Sequence, residues 1–180
     1  MAHREVEAKI ILPSCQALEE VEQRLRSLGA SMAEEVVEED LYFQHPCRDF
    51  AVTDEALRLR RRSDRVELTY KGPKEGGVVK ARKEVSIVVN DYDAARELLE
   101  SLGFRPVLVV RKERRYYTLP SDNVVVTLDR VDELGCFVEV EALGGGEERV
   151  LGVVEKLGLS GYPRTNLSYL EMLLEKKRVH

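Results

Sequence analysis

Along most of this chain, apolar and ionised residues alternate one for one, and few folds tolerate that pattern in so many segments. Side chains i, i+2 and i+4 of a strand share a face. Over residues 3–12, Glu5, Glu7 and Lys9 share one face and Val6, Ala8 and Ile10 the other. Arg58, Arg60 and Arg62 oppose Leu57, Leu59 and Arg61, and Glu67, Thr69 and Lys71 oppose Val66, Leu68 and Tyr70. Lys80, Arg82, Glu84 and Ser86 face away from Val85 and Ile87, and Lys112 and Arg114 share a face. Thr127 and Asp129 lie opposite Val126 and Leu128; Glu139 and Glu141 lie opposite Val138 and Val140. A two-layer sheet with one wet face alternates in the same way. Here, however, the charged faces carry pairs of like sign (Glu5/Glu7, Arg58/Arg60, Lys112/Arg114, Glu139/Glu141). Several amphipathic helices also need an apolar sheet surface to cover. Helices outside and charges inside imply a sheet curled around an ionised interior.

The remaining segments fit one domain over residues 1–180. Apolar residues at helical spacing (Leu18, Val21, Leu25, Leu28) predict a helix over 15–28, with Ser14 as its cap and Gly29 as its stop. Strands are predicted at 33–45, 56–62, 65–71, 80–89, 105–118, 123–131 and 136–143, with further helices over 91–102, 147–157 and 166–177. Lys71-Gly72-Pro73-Lys74-Glu75-Gly76-Gly77 reads as a mobile turn, and Gly144-Gly145-Gly146 opens the third helix. Leu25-Arg26-Ser27-Leu28-Gly29 and Leu99-Glu100-Ser101-Leu102-Gly103 each precede a long strand at a constant offset, which suggests two halves related by a pseudo-twofold. Cys15, Cys47 and Cys136 have no metal-ligand spacing and are odd in number, so a disulfide framework is not expected.

An ionised interior is costly unless its charges are compensated. Lys9, Arg58, Arg60, Lys71, Arg82, Lys112 and Arg114 are partly balanced by Glu5, Glu7, Glu84, Asp129, Glu139 and Glu141. The cationic excess suits a polyanion, because Arg and Lys donate to phosphate oxygens. Paired carboxylates suit a hard divalent cation that bridges phosphates. The net charge of −5 argues against a nucleic-acid backbone as partner. With no long apolar run and no signal segment, no membrane partner is expected and a cytoplasmic location is the default. A long exposed strand leaves a homodimer open.

These residues resemble the CYTH superfamily, the triphosphate tunnel metalloenzymes. The ExExK signature stands as Glu5-Val6-Glu7-Ala8-Lys9. In order follow Asp40-Leu41-Tyr42, Ala56-Leu57-Arg58-Leu59-Arg60, Leu68-Thr69-Tyr70-Lys71-Gly72, Arg82-Lys83-Glu84, Lys112-Glu113-Arg114, Asp129-Arg130-Val131 and the segment Gly135 to Glu141. The stretch Asn166-Leu167-Ser168-Tyr169-Leu170 is similar to the class IV adenylyl cyclase branch, a less specific match. The resemblance implies an α+β fold with a closed antiparallel eight-stranded barrel. It implies Mg²⁺ or Mn²⁺ on Glu5, Glu7, Glu139 and Glu141, with Asp129 and Glu84 as further candidates. It implies phosphates on Lys9, Arg58, Arg60, Lys71, Arg82, Lys112 and Arg114.

Two reactions fit such a tunnel. In a cyclase, the ribose 3′-oxygen of ATP attacks the α-phosphorus and pyrophosphate leaves; in a triphosphatase acting on tripolyphosphate, an organic triphosphate or an RNA 5′ end, water attacks a terminal phosphorus. Lys9 or Lys71, its pKa lowered by neighbouring cations, is a candidate base, and a metal-bound hydroxide is the other. A non-catalytic triphosphate binder is the third reading. Tyr42, Phe43, Tyr116 and Tyr117 could stack on a base or belong to the core. No Trp is available for a thiamine platform.

Overall fold

The alternating segments become strands: β1 (Ala2–Ile11), β2 (Ser31–Gln44), β3 (Ala56–Arg62), β4 (Arg65–Glu75), β5 (Lys80–Val89), β6 (Arg105–Leu119), β7 (Val124–Val131) and β8 (Gly135–Ala142). A two-residue β9 (Arg164–Thr165) adds to the outside of β1. This computed structural model describes residues 2–75, 80–142 and 146–179, with the backbone alone for residues 2–5 and 80. Gly76, Gly77, Gly144, Gly145 and the Glu5 side chain therefore lie outside the described residues.

All pairings are antiparallel, in the order β5-β4-β3-β2-β6-β7-β8-β1, and β1 also pairs with β5. That last ladder closes eight strands into a barrel, which leaves none of the eight as a free edge. The order is symmetric about the β2–β6 and β1–β5 pairs, as the pseudo-twofold requires. The helices preceding β2 and β6, α1 (Ala17–Ser27) and α3 (Tyr92–Ser101), end alike. Gly29 (φ 80°) and Gly103 (φ 91°) take the left-handed conformation. In each, the following N–H reaches the carbonyl five residues back (Ala30 to Leu25, Phe104 to Leu99, both 3.0 Å), the Schellman closure.

Apolar strand faces point outward, and helices cover much of them, although Val37, Ile87, Val107 and Val109 stay exposed. Leu18, Val21 and Leu25 of α1 and Val150, Val153 and Val154 of α4 (Glu147–Lys156) pack on Val6, Ala8, Ile10, Val126, Val138 and Val140. Leu99 of α3 packs with Leu41, Phe43, Leu57 and Leu59. At one end of the barrel the inward residues turn apolar (Ile11, Tyr42, Val110, Val131, Phe137), and α5 (Tyr169–Arg178) lays Tyr169 and Leu173 against them. No helix among the described residues is long and apolar enough to cross a membrane.

Several expectations are corrected. The predicted turn at Lys71–Glu75 remains in β4; its ladder with β5 slips between Lys71 and Lys74, where Pro73 has no N–H to give. Ser14 does not cap α1 with its side chain; its carbonyl accepts from the Ala17 N–H, and Gln16 is the cap residue. A four-residue helix α2 (Phe50–Thr53), capped by Asp49, was too short for its periodicity to register. Cys15 and Cys136 are disulfide-bonded across 121 residues. The pairing follows from topology, since β1 and β8 are neighbours and Ile11 sits opposite Phe137. Cys47 is free and exposed.

Candidate functional site

The inward face of each strand supplies the charges that the alternation predicts, and three connected clusters result. In the first, Asp40 of β2 accepts from Arg60 of β3 through both oxygens (2.6 and 2.8 Å) and from Lys112 of β6 (2.7 Å). Glu38, on the same face of β2, lies 3.1 Å from Arg60 and 3.0 Å from Lys112. All four are buried. Burial pushes the Glu38 carboxyl up, but Lys112, Arg60 and Arg114 outweigh it and bring it down to about 2. Asp40 is likewise carried well below the usual range against its burial, by Arg60 and Lys112. Lys112 moves down, because burial and neighbouring Arg60 outweigh its two carboxylates.

In the second cluster, Arg114 grips Asp129 of β7 with its Nε (2.6 Å) and a terminal nitrogen, which also meets Glu139 of β8. Glu139 stands 3.2 Å from Lys9 of β1. The start of α5 closes this cluster. Tyr169 donates its hydroxyl to Asp129 (2.6 Å), its ring lies 4.1 Å beneath the Lys9 ammonium, and Lys9 donates to the Leu167 carbonyl (3.0 Å). In the third, Lys71 pairs with Glu84 (2.6 Å), and Arg82 donates to the carbonyls of Gly72 (2.8 Å) and Asp54 (3.2 Å).

Arg58 differs from its neighbours. It is buried, and among the described residues its one hydrogen bond goes to the Thr69 hydroxyl (3.3 Å) and its Nε meets no acceptor. Burial and the adjacent Arg60 oppose its charge, yet Asp40, Tyr42 and Glu84 keep its pKa raised. β1 and β8 also bring two carboxylates side by side, since Glu7 faces Glu141 in register, while Lys9 faces Glu139. Like charges directly opposite on a ladder are destabilising unless a cation joins them.

The clusters surround a polar cavity of about 160 Å³, lined by Glu7, Lys9, Arg58, Arg60, Lys71, Arg82, Glu84, Lys112, Arg114, Glu139 and Glu141 among others. The structure thus brings together every site residue expected from sequence except Glu5, whose side chain is not described, and Asp129, which stands behind Arg114. Tyr42 and Tyr116 line the cavity, whereas Phe43 and Tyr117 belong to the outer core. Glu38 escaped the sequence reading altogether. Asp40 and Tyr169 entered it only within similar stretches, with no role. Once Glu38 and Asp40 join the six carboxylates expected inside, eight acids stand against the seven expected cations, so the expected cationic excess is gone.

Among the described residues, no three His, Cys, Asp or Glu side chains converge as a ready metal cage. The Glu7–Glu141 pair nonetheless fits a hard divalent ion of the Mg²⁺ type, which is held by one or two carboxylates and completes its shell from phosphate oxygens and water.

Comparison with known proteins agrees with this geometry. A protein of Methanocaldococcus jannaschii named as a candidate adenylate cyclase is 36% identical over 121 residues, 67% of this chain and 68% of that one. The solved structure of the PH1819 protein from Pyrococcus horikoshii superposes with a TM-score of 0.80 at 40% identity, over 96% of this chain and 99% of that one. The Hippeastrum protein HpAC1, whose structure is described as revealing a dominant triphosphatase activity, shares the fold (TM-score 0.73, 16% identity, 98% of this chain and 96% of that one). The CYTH domain model matches residues 3–166. With a closed barrel, an ionised interior and a family match over most of its length, the chain belongs to the CYTH family.

Proposed function

We propose that this chain is a divalent-metal-dependent enzyme acting on a triphosphate inside the barrel, with conversion of ATP to cyclic AMP and pyrophosphate as the first reading. The observation that carries it is Arg58, a buried guanidinium that has no carboxylate within salt-bridge distance among the described residues and faces the cavity. A buried cation in that state is costly and is relieved by an anion. Arg60, Lys112 and Arg114 are already engaged by Asp40, Glu38, Asp129 and Glu139; they act in this reading as a positively charged wall held in place. Lys9, Lys71 and Arg82 complete the phosphate contacts.

Glu7 and Glu141 would hold Mg²⁺ or Mn²⁺, with Glu5 and Glu139 beside them. Bound there, the ion would neutralise charge on the phosphoryl oxygens as they develop it. In the cyclase reaction the 3′-hydroxyl oxygen bonds to the α-phosphorus, the bond to pyrophosphate breaks, and the hydroxyl proton leaves to a base; Lys9 or Lys71 would take it only after its ammonium, held beside Glu139 (3.2 Å) or Glu84 (2.6 Å), had given up its own proton. Arg58 and Arg82 would stabilise the negative charge on the pyrophosphate leaving group.

The second reading is hydrolysis of inorganic tripolyphosphate, which the small, polar cavity favours. Phosphorus NMR with Mg²⁺ or Mn²⁺ and an equimolar mixture of ATP and tripolyphosphate separates the two. Cyclic AMP with pyrophosphate, tripolyphosphate left intact, is the outcome expected of the first. Orthophosphate with pyrophosphate from tripolyphosphate, ATP untouched, would replace it with the second. Glu7→Ala should abolish turnover in either case while the fold persists; full activity in that variant would remove the metal assignment.

A further inference from the structure

The two halves of the barrel repeat each other pair by pair. On β2 and β3, Asp40 stands opposite Arg60 and Tyr42 opposite Arg58. On β6 and β7, at the offset that relates Gly29 to Gly103, Arg114 stands opposite Asp129 and Tyr116 opposite Thr127. The ion pair recurs with its signs exchanged. In both halves the arginine grips the carboxylate through Nε and a terminal nitrogen. The tyrosine recurs unchanged, and both copies line the cavity. Thr127 therefore occupies in the second half the place that Arg58 holds in the first.

The likeness extends to hydrogen bonding. Thr127 is only 5% exposed and lines the cavity, and its hydroxyl meets no partner among the described residues. The Nε of Arg58 is in the same condition. A buried polar group without a partner is costly and uncommon in a native protein. The groups beside Thr127 are engaged elsewhere. Tyr116 donates to Glu38 (2.5 Å), and Asp129 accepts from Arg114 and Tyr169. Glu139, opposite Thr127 on β8, has one oxygen against Lys9 and the other against Arg114.

Arg58 and Thr127 thus flank the ion-paired wall of β2 and β6, each with a donor turned to the cavity. One ligand that serves both must offer acceptors along its length, as a chain of phosphates does. The change of residue type also has a physical reason. Thr127 lies on the side of the barrel that carries Glu139 and Glu141, where a second unpaired guanidinium would compete with a divalent cation for those carboxylates. A hydroxyl donates to a phosphate oxygen without doing so.

We propose that Thr127 is a further triphosphate-binding residue, the counterpart of Arg58 in the second half of the barrel, and that its hydroxyl donates to a phosphate oxygen. The proposal rests on the triphosphate reading above and deepens it by adding a contact outside the ionised set.

Thr127→Val removes the hydroxyl and keeps the branched shape, while Thr127→Ser keeps the hydroxyl. Binding of Mg-tripolyphosphate to the full chain is measured by titration calorimetry for the parent and both variants, with a thermal melt of each. Thr127→Val should melt at or above the parent temperature, because it deletes a buried hydroxyl that has no protein partner, and its Kd should rise roughly tenfold or more. Thr127→Ser should bind within about threefold of the parent. A Thr127→Val protein that binds as tightly as the parent would overturn the proposal and leave the barrel reading standing. So would a Thr127→Ser protein as weak as Thr127→Val, since shape and not the hydroxyl would then matter. A Thr127→Val protein that melts several degrees lower or does not fold would show a structural hydroxyl and refute the proposal likewise. A parent that does not bind Mg-tripolyphosphate would overturn the barrel reading itself, and the role of Thr127 with it.

Discussion

Arg58 and Arg60 stand two residues apart on one face of β3, yet their removal should be felt differently. Arg60 joins Asp40 and Glu38, and Arg60→Ala leaves Asp40 to Lys112 and leaves Glu38 to Lys112, the Tyr116 hydroxyl (2.5 Å) and a more distant Arg62 (3.8 Å). Breaking such a buried network typically costs about 3–5 kcal/mol, so its urea midpoint should fall sharply. Arg58→Ala takes away a buried cation with one weak partner. Its stability should hold or rise, while tripolyphosphate affinity falls by ~10–150-fold, the equivalent of a lost charge-assisted hydrogen bond of ~1.5–3 kcal/mol. Equal effects of the two variants on stability would contradict this division of labour. From sequence the two arginines are equivalent, because alternation gives the face and not the partner. The partner was hidden in Glu34-Glu35-Val36-Val37-Glu38-Glu39-Asp40, where acids come in doublets and both faces look alike. Only register, with Asp40 opposite Arg60 and Glu38 opposite Lys112, separates the inward set from the outward one.

At the scale of elements, β2 gives the barrel its acid sensitivity. The Glu38 pKa is depressed from 4.5 to about 2 in the folded protein, so the stability it confers is present above pH 4.5 and is lost as pH falls towards 2. Asp40 adds in the same direction. A shift of that size corresponds to on the order of 3 kcal/mol. Chemical denaturation at pH 5 and pH 2.5 should show the loss, and Glu38→Gln should flatten the profile between them. An unchanged slope in that variant would mean that other carboxylates govern the acid limb. The barrel strands and four longer helices were legible because period 2 and period 3.6 each run for several repeats. What was missed is short or bulged: α2 has four residues and β9 two, and the slip at Gly72-Pro73 reads as a turn in any local window.

For the whole molecule, the disulfide is the largest departure from expectation. It joins the turn after β1 to the start of β8 across 121 residues. Closing a loop of that length constrains the unfolded chain by up to about 5 kcal/mol. Cys136→Ser should therefore lower the melting temperature by roughly 10–20 °C, with no change in tripolyphosphate affinity, since Cys136 lies in the outer apolar cluster. A variant that melts like the parent would show that the bond does not form in solution. Nothing in the spacing of three scattered cysteines points to that pair; topology alone makes them neighbours.

Closure of the barrel by β1 also fixes a schedule. This strand precedes every other in the sequence, yet its ladder partners are β5 on one side and β8 on the other. At a synthesis rate of ~5–20 residues per second, it waits on the order of 10 s before β8 leaves the ribosome. An orphan strand is an aggregation hazard for all that time. Glu7 and Lys9, which become the ionised wall once the barrel shuts, make β1 a poor template for foreign strands while it is still alone. The charge pattern that suits a polyanion in the finished protein thus also guards the nascent chain.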